Sequence, residues 1–382
     1  MKVKLGNIAV LINGDRGKNY PSQADIVSNG DVPFVNAGHL NGRDISFDEM
    51  NYISQEKFNQ LNSGKFIEGD ILYCLRGSLG KKGVVRNNIN GAIASSLVII
   101  RPDTEKVNVD YLMFALDSPS IMEQLVKANN GSSQPNLSAA SVREYCIDLP
   151  ESSIQEEIVA KLSKVRKIID ARQQELQALD DLIKARFVEM FGNEKYPQTN
   201  ISELVSGKVP SVKKDFSPED TIKYIDISSI DNKQNVMTGY TEYVVKDAPS
   251  RAQQHIKRGD IVISTVRPNL RNVAITPYYD SNLVASSGFC VLRAEKCLPE
   301  YLMAIVTSDK FTDDMTKVVT GANYPAIKDS DVMNYQVALP PMELQKQFAE
   351  FCKQIDKSKV VVQKALDEAQ LLFDSLMQQY FG

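Results

Sequence analysis

Between Ile154 and Gly192 the apolar residues Ile158, Leu162, Val165, Ile169, Leu176, Leu179, Ile183 and Met190 follow one another in alternating steps of four and three. That is the spacing of a heptad seam, and it predicts a single long helix with one face made for another helix. Arg172 and Arg186 interrupt the seam. The chain ends on a second such stretch, with Phe348, Cys352, Ile355, Lys359, Val362, Leu366, Ala369, Phe373, Leu376 and Tyr380 each 190 positions beyond the first set or its gaps. Where the first stretch carries an arginine the second carries Val362 or Leu376, and where the second carries Lys359 the first carries Ile169. Each helix therefore looks fitted to an unlike partner, and the other helix supplies one.

Ahead of the first helix the pattern changes. VPFV (32–35), DILYCL (70–75) and SSLVIIR (95–101) are β-prone runs parted by Gly, Asn and Asp turn signals, so residues 1–150 read as a mixed α/β domain. From Tyr111 to about Ala128 the apolar face of Leu112, Ala115, Leu116, Ile121, Met122 and Leu125 predicts a helix, and YCIDLP (145–150) predicts a last short strand. The same plan recurs 190 residues later. Residues 111–162 share twelve identities with 301–352 in fifty-two ungapped positions, against roughly three by chance, which marks a duplicated domain rather than a common tendency. Upstream the match continues through PFVNAGHLN and KYIDISSID, EGDIL and RGDIV, and IASS and VASS.

The expected architecture is α+β: a domain over 1–150, a helical spacer over 151–192, a second domain over 193–341 and a second spacer over 342–382. If each domain begins and ends near one place, the helices run antiparallel, as an internal pseudo-two-fold duplication. At 1.5 Å per residue, spacers of this length would span about 57 Å, comparable with one and a half turns of duplex DNA.

Composition narrows the chemistry. The 382 residues carry a formal charge of −4, divided equally between the halves, and a pI near 5.5, which argues against a bulk electrostatic nucleic-acid binder while leaving room for local basic loops. Five scattered Cys without a CxxC, and only His39 and His255, exclude a zinc constellation and fit a reducing cytoplasm. No stretch approaches a signal peptide or a membrane span.

The basic turn RGSLGKKGVVR (76–86) lacks the spacing of a phosphate-binding loop, but Arg76, Lys81, Lys82 and Arg86 are suited to neutralising DNA phosphates and Ser78 to bonding them. VRPNLRN (266–272) offers Arg267, Asn269 and Arg271 at the matching place; Arg pairs with guanine and Asn with adenine in the major groove, so this turn is suited to base reading. The bland reading of both is a solvated charged hairpin. GSSQPN (131–136) and GANYPA (321–326) are Gly/Pro turns suited to phosphate contact or to capping a helix. Arg172 and Arg186 are expected to reach to the seam's edge and pair with acids. There is no [DN]PP[FYW] methyltransferase motif, no glycine-rich cofactor loop and no nuclease carboxylate–lysine set.

Together, KYIDISSID, the paired GDIL and GDIV, the LP-x4-Q entries LPESSIQ and LPPMELQ, and the FG endings at 191–192 and 381–382 give the chain a resemblance along its whole length to the DNA specificity subunit of type I restriction-modification enzymes. The first half departs from the pattern at VPFVNAGHLN. The resemblance implies two target recognition domains, each reading half of a bipartite site on double-stranded DNA, and two helical spacers. It implies no catalysis by the chain itself and no cofactor of its own. The implied partners are two methylase subunits, which bind S-adenosylmethionine and flip an adenine, and two ATP- and Mg-dependent restriction subunits. An autonomous methyltransferase or nuclease, or a coiled-coil scaffold, are the competing readings.

Overall fold

The computed structural model describes residues 1–129, 135–192, 196–207, 209–321 and 325–382. It resolves into two compact units, Met1–Arg172 with Ala365–Gly382, and Gln173–Lys364. Each contains one globular domain and a stretch of both long helices, Ser152–Phe191 and Met342–Phe381.

In the first unit, strands Ala9–Asn13, Leu97–Pro102, Ile71–Cys74 and Lys82–Val84 lie side by side in an antiparallel sheet. A second sheet orders Tyr52–Ile53, Val32–Val35, Gly91–Ile93 and Lys65–Phe66, with its central pair parallel. The second unit keeps this plan. Val273–Ile275, Ile261–Ser264 and Phe289–Leu292 form the antiparallel sheet, and Thr221–Ile225 pairs in parallel with Leu283–Ser286 in the other. The central strands Ile71–Cys74 and Ile261–Ser264 are buried at every position, which is why their sequences are runs of apolar residues without alternation.

Each domain does begin and end in one place. Its first strand, Lys2–Lys4 or Gln198–Asn200, pairs antiparallel with its last, Cys146–Asp148 or Gln336–Ala338, immediately before a long helix. The LP-x4-Q entry locks that junction. Gln155 and Gln345 are buried; their side-chain oxygens accept from the Asn108 and Leu298 N–H groups at 2.8 and 2.9 Å, and their amides donate to the Pro150 and Pro340 carbonyls at 2.9 Å. Tyr111 and Tyr301 donate to the Asp148 and Ala338 carbonyls at 2.6 and 2.8 Å. A glutamine is needed because each site offers an N–H donor and a carbonyl acceptor deep in the fold, where an unmet polar group costs roughly 1–3 kcal/mol.

The helices are antiparallel. In the first unit Ile158, Leu162, Val165 and Ile169 join one core with Ala369, Phe373, Met377 and Phe381; in the second, Ile183, Phe187 and Phe191 pack with Leu344, Phe348 and Cys352. Every predicted seam position is buried or half-buried. Arg186 is half-exposed and pairs with Glu189 at 2.8 Å, as expected, and Lys359 pairs with Asp180.

One predicted helix is two. Instead of running from Tyr111 to Ala128, the chain forms Val109–Ala115 and Pro119–Ala128. Ser118 caps the second, accepting from the Ile121 N–H at 3.2 Å, and Pro119 has no N–H with which to continue the first. The repeat breaks identically, with Ser308 capping Phe311 and an aspartate in the proline's place.

Candidate nucleic-acid interface

The two basic turns close equivalent hairpins, Ile71–Cys74 to Lys82–Val84 and Ile261–Ser264 to Val273–Ile275. Neither turn stands alone. The Gly77 N–H donates to the Pro135 carbonyl at 3.3 Å and the Leu137 N–H to the Leu75 carbonyl at 2.8 Å; 190 residues on, Arg267 donates to Pro325 at 2.8 Å and Ile327 to Thr265 at 2.9 Å. Each hairpin tip is thus tied to one short segment, 135–137 in the first domain and 325–327 in the second. Of GSSQPN and GANYPA, residues 131–134 and 322–324 lie outside the described residues.

The tips differ in how they bend. Gly77 and Gly80 supply left-handed backbone in the first, at φ +80° and +76°. In the second, Arg267 and Arg271 take left-handed φ of 50° and 54° on either side of the short turn Pro268–Leu270. A side chain in that region costs roughly 1–2 kcal/mol. The second domain thus carries arginine at the position where the first relieves the strain with Gly77, and places a cation on an exposed tip.

The candidate DNA-contact residues separate into two groups. Arg76 and Ser78 are exposed on the first tip, and Arg267 and Asn269 on the second. The Lys81 ammonium is half-buried and donates to the Ala37 carbonyl at 3.0 Å, which holds the tip against the neighbouring sheet's loop. Arg86 spans Asp44 and Asp110 at 3.3 and 2.6 Å, and Arg271 pairs with Asp309 at 2.6 Å. Lys82 is a correction. It is 2% exposed with its ammonium on the solvent-facing Asp117 carboxylate, so it is a buried lysine held by an ion pair and not a phosphate contact. Its place on an inward-facing strand position decides this, since side chains alternate across a strand and Lys81 takes the other side.

Beside the first tip lies an open recess of about 320 Å³ lined by Asn13, Arg16, Arg76, Asn136 and Ser138. Arg16 and Asn13 were not legible as site residues, because only the fold brings them beside Arg76; Asn136 closes the GSSQPN turn.

Most of the shared motif residues hold the scaffold. Asp70 and Asp260 of the two Gly-Asp pairs are each 1% exposed and receive two bonds from one guanidinium, Arg101 at 2.8 and 2.8 Å and Arg293 at 2.9 and 2.7 Å. Asp226 of KYIDISSID accepts from the Ser228 N–H at 2.9 Å, while the Ser229 hydroxyl accepts from the Asp226 N–H at 3.3 Å. In the divergent first copy Asn36 accepts from the Gly38 N–H at 2.8 Å and His39 Nδ1 from the Asn36 N–H at 3.1 Å. VPFVNAGHLN therefore builds the same turn with different side chains.

The sequence model described as "Type I restriction modification DNA specificity domain" matches residues 1–180 and again 191–369. The chain belongs to this family. It is a type I restriction-modification specificity subunit in which each half carries one specificity domain. It is 22% identical over 405 residues to the type I restriction enzyme MjaVIII specificity subunit of Methanocaldococcus jannaschii, covering 95% of this chain and 89% of that one. With the EcoBI specificity subunit of Escherichia coli the identity is 23% over 227 residues, 54% of this chain and 48% of that subunit. The fold is similar to that of the S subunit from M. genitalium, with TM-score 0.56 at 14% identity, covering 100% and 96% of the two chains. Among the described residues no cluster of His, Cys, Asp and Glu is suited to a metal ion, and no helix is long and apolar enough to cross a membrane.

Proposed function

We propose that this specificity subunit reads a bipartite sequence on double-stranded DNA, one half with each domain, and catalyses nothing itself. The observation that carries the reading is a scaffold repeated in both domains, down to the Gln155/Gln345 and Asp70/Asp260 bonds, bearing different side chains at its hairpin tips. A scaffold held constant beneath changed tips is what two readers of two different half-sites need. In this reading two methylase subunits supply S-adenosylmethionine and methylate an adenine flipped out of the duplex, and two restriction subunits use ATP and Mg, in the cytoplasm.

The purified chain with S-adenosylmethionine is expected to methylate no DNA, and to direct methylation of one bipartite sequence once its methylase partner is added. Methylation by the chain alone sinks the proposal.

Arg267→Ala is expected to relax one half of that sequence and Arg76→Ala the other, each costing on the order of 1–3 kcal/mol at its base pair if the arginine reads a base. Competition binding of the methylase complex to half-site variants measures both. If either substitution alters both halves, the domains are not independent readers.

A further inference from the structure

Arg76 and Asn136 face each other as an antiparallel bridge between the first hairpin tip and the segment after the Gly/Pro turn. Opposed residues of such a bridge project to the same side with Cβ atoms roughly 4.5–5.5 Å apart. Both side chains are exposed, both line the recess, and neither has a hydrogen-bonding partner among the described residues. Their neighbour Ser138 is occupied, since its hydroxyl accepts from the Ser141 N–H at 2.9 Å and caps the helix Ala139–Arg143. The corresponding bridge in the second domain joins Val266 to Ala326, which have no side-chain donor or acceptor.

Resting on the DNA-reading function proposed above, we infer that Arg76 and Asn136 act as a pair that reads two adjacent base pairs in the first domain's half-site, Arg76 a guanine and Asn136 an adenine. The chemistry selects these bases. A guanidinium gives two donors to guanine O6 and N7, while a carboxamide gives one donor and one acceptor to adenine N6 and N7. Two such groups about 5 Å apart at their base suit neighbouring steps of a stack. Arg16, exposed in the lining of the recess and donating to the Ser95 carbonyl at 3.4 Å, adds charge for the backbone. In the second domain the same place is apolar, and Arg267, one position along, is the exposed cation instead.

The test uses the full chain co-expressed with its methylase, and reads the methylated motif genome-wide. Asn136→Ala is expected to make one A·T pair of one half-site degenerate, with preference falling roughly ten-fold or more, while the other half-site stays unchanged. Asn136→Asp removes the amide donor and leaves an acceptor, so it is expected to move preference at that pair toward cytosine, a change that a structural role does not produce. The double variant Arg76→Val, Asn136→Ala installs side chains that the second domain carries on the same bridge, so it should fold while losing both base preferences. An unchanged motif in Asn136→Ala, or a uniform fall in methylation with the motif intact, overturns the pair as readers and leaves the bipartite reading standing. A wild-type complex that methylates no bipartite sequence overturns that reading, and this inference with it.

Discussion

Asp260→Ala is expected to loosen the second unit by about 3 kcal/mol while leaving the first close to its original stability. The carboxylate is 1% exposed and takes both bonds of the Arg293 guanidinium as well as the Lys257 N–H at 2.9 Å. Removing it strands a guanidinium only 20% exposed. Breaking one partner of a buried pair costs roughly 3–5 kcal/mol, and the lower end applies because part of Arg293 reaches water. Asp70→Ala should act the same way in the first unit but less strongly, since Arg101 is 35% exposed. With two units in one chain, a single melting curve would mix their transitions. Hydrogen exchange resolved along the sequence is the measurement: amides of Ile261–Ser264 and Phe289–Leu292 should lose protection in Asp260→Ala, and those of Ile71–Cys74 should not. The double variant Asp260→Leu, Arg293→Met should recover most of the loss, because replacing both charges leaves neither unpaired. If Asp260→Ala exchanges no faster than the exposed control Asp313→Ala, the pair does not hold the domain together.

That pair shows where the sequence was legible and where it was not. The helical seam was readable because periodicity reports burial directly: positions three and four apart share a face, and Ile158, Leu162, Val165 and Ile169 could only face a partner. The duplication was readable from identity at constant offset, and with it the closed ends that make the helices antiparallel. The Gly-Asp motifs were visible as a repeat, but not as buried ion pairs, because their arginines lie thirty-one and thirty-three residues away. Lys82 and Lys81 are neighbours in sequence and opposite in fate, since alternation along a short strand buries one side chain with its ammonium on Asp117 and sends the other to the Ala37 carbonyl. Charge in a basic turn says nothing about which cation faces out. Asn136 was hidden for a related reason: it matters only because a bridge across sixty residues sets it beside Arg76.

Lengthening both long helices by four residues, after Arg172 and after Lys364, is expected to keep both half-sites and lengthen the gap between them by about one to two base pairs. These are the points at which each helix passes from one compact unit into the other. Four residues add about 6 Å of helix and roughly one full turn, so the seam around Ile169 and Leu176 stays in phase, and 6 Å corresponds to just under two base pairs at about 3.4 Å each. Two residues in each helix would add about 3 Å but turn the seam by roughly 200°, setting Leu176, Leu179 and Ile183 toward water. That variant should therefore lose stability instead of reading a shorter extension. Matching the insertions matters, because the Asp180–Lys359 pair and the contacts of Phe187 with Phe348 belong to facing stretches, and lengthening one helix alone would pull them out of register. The methylated motif of the four-residue variant, read with the same methylase partner, decides the matter. An unchanged gap, or altered half-sites with the gap retained, would mean that the helix pair does not set the distance between the sequences read.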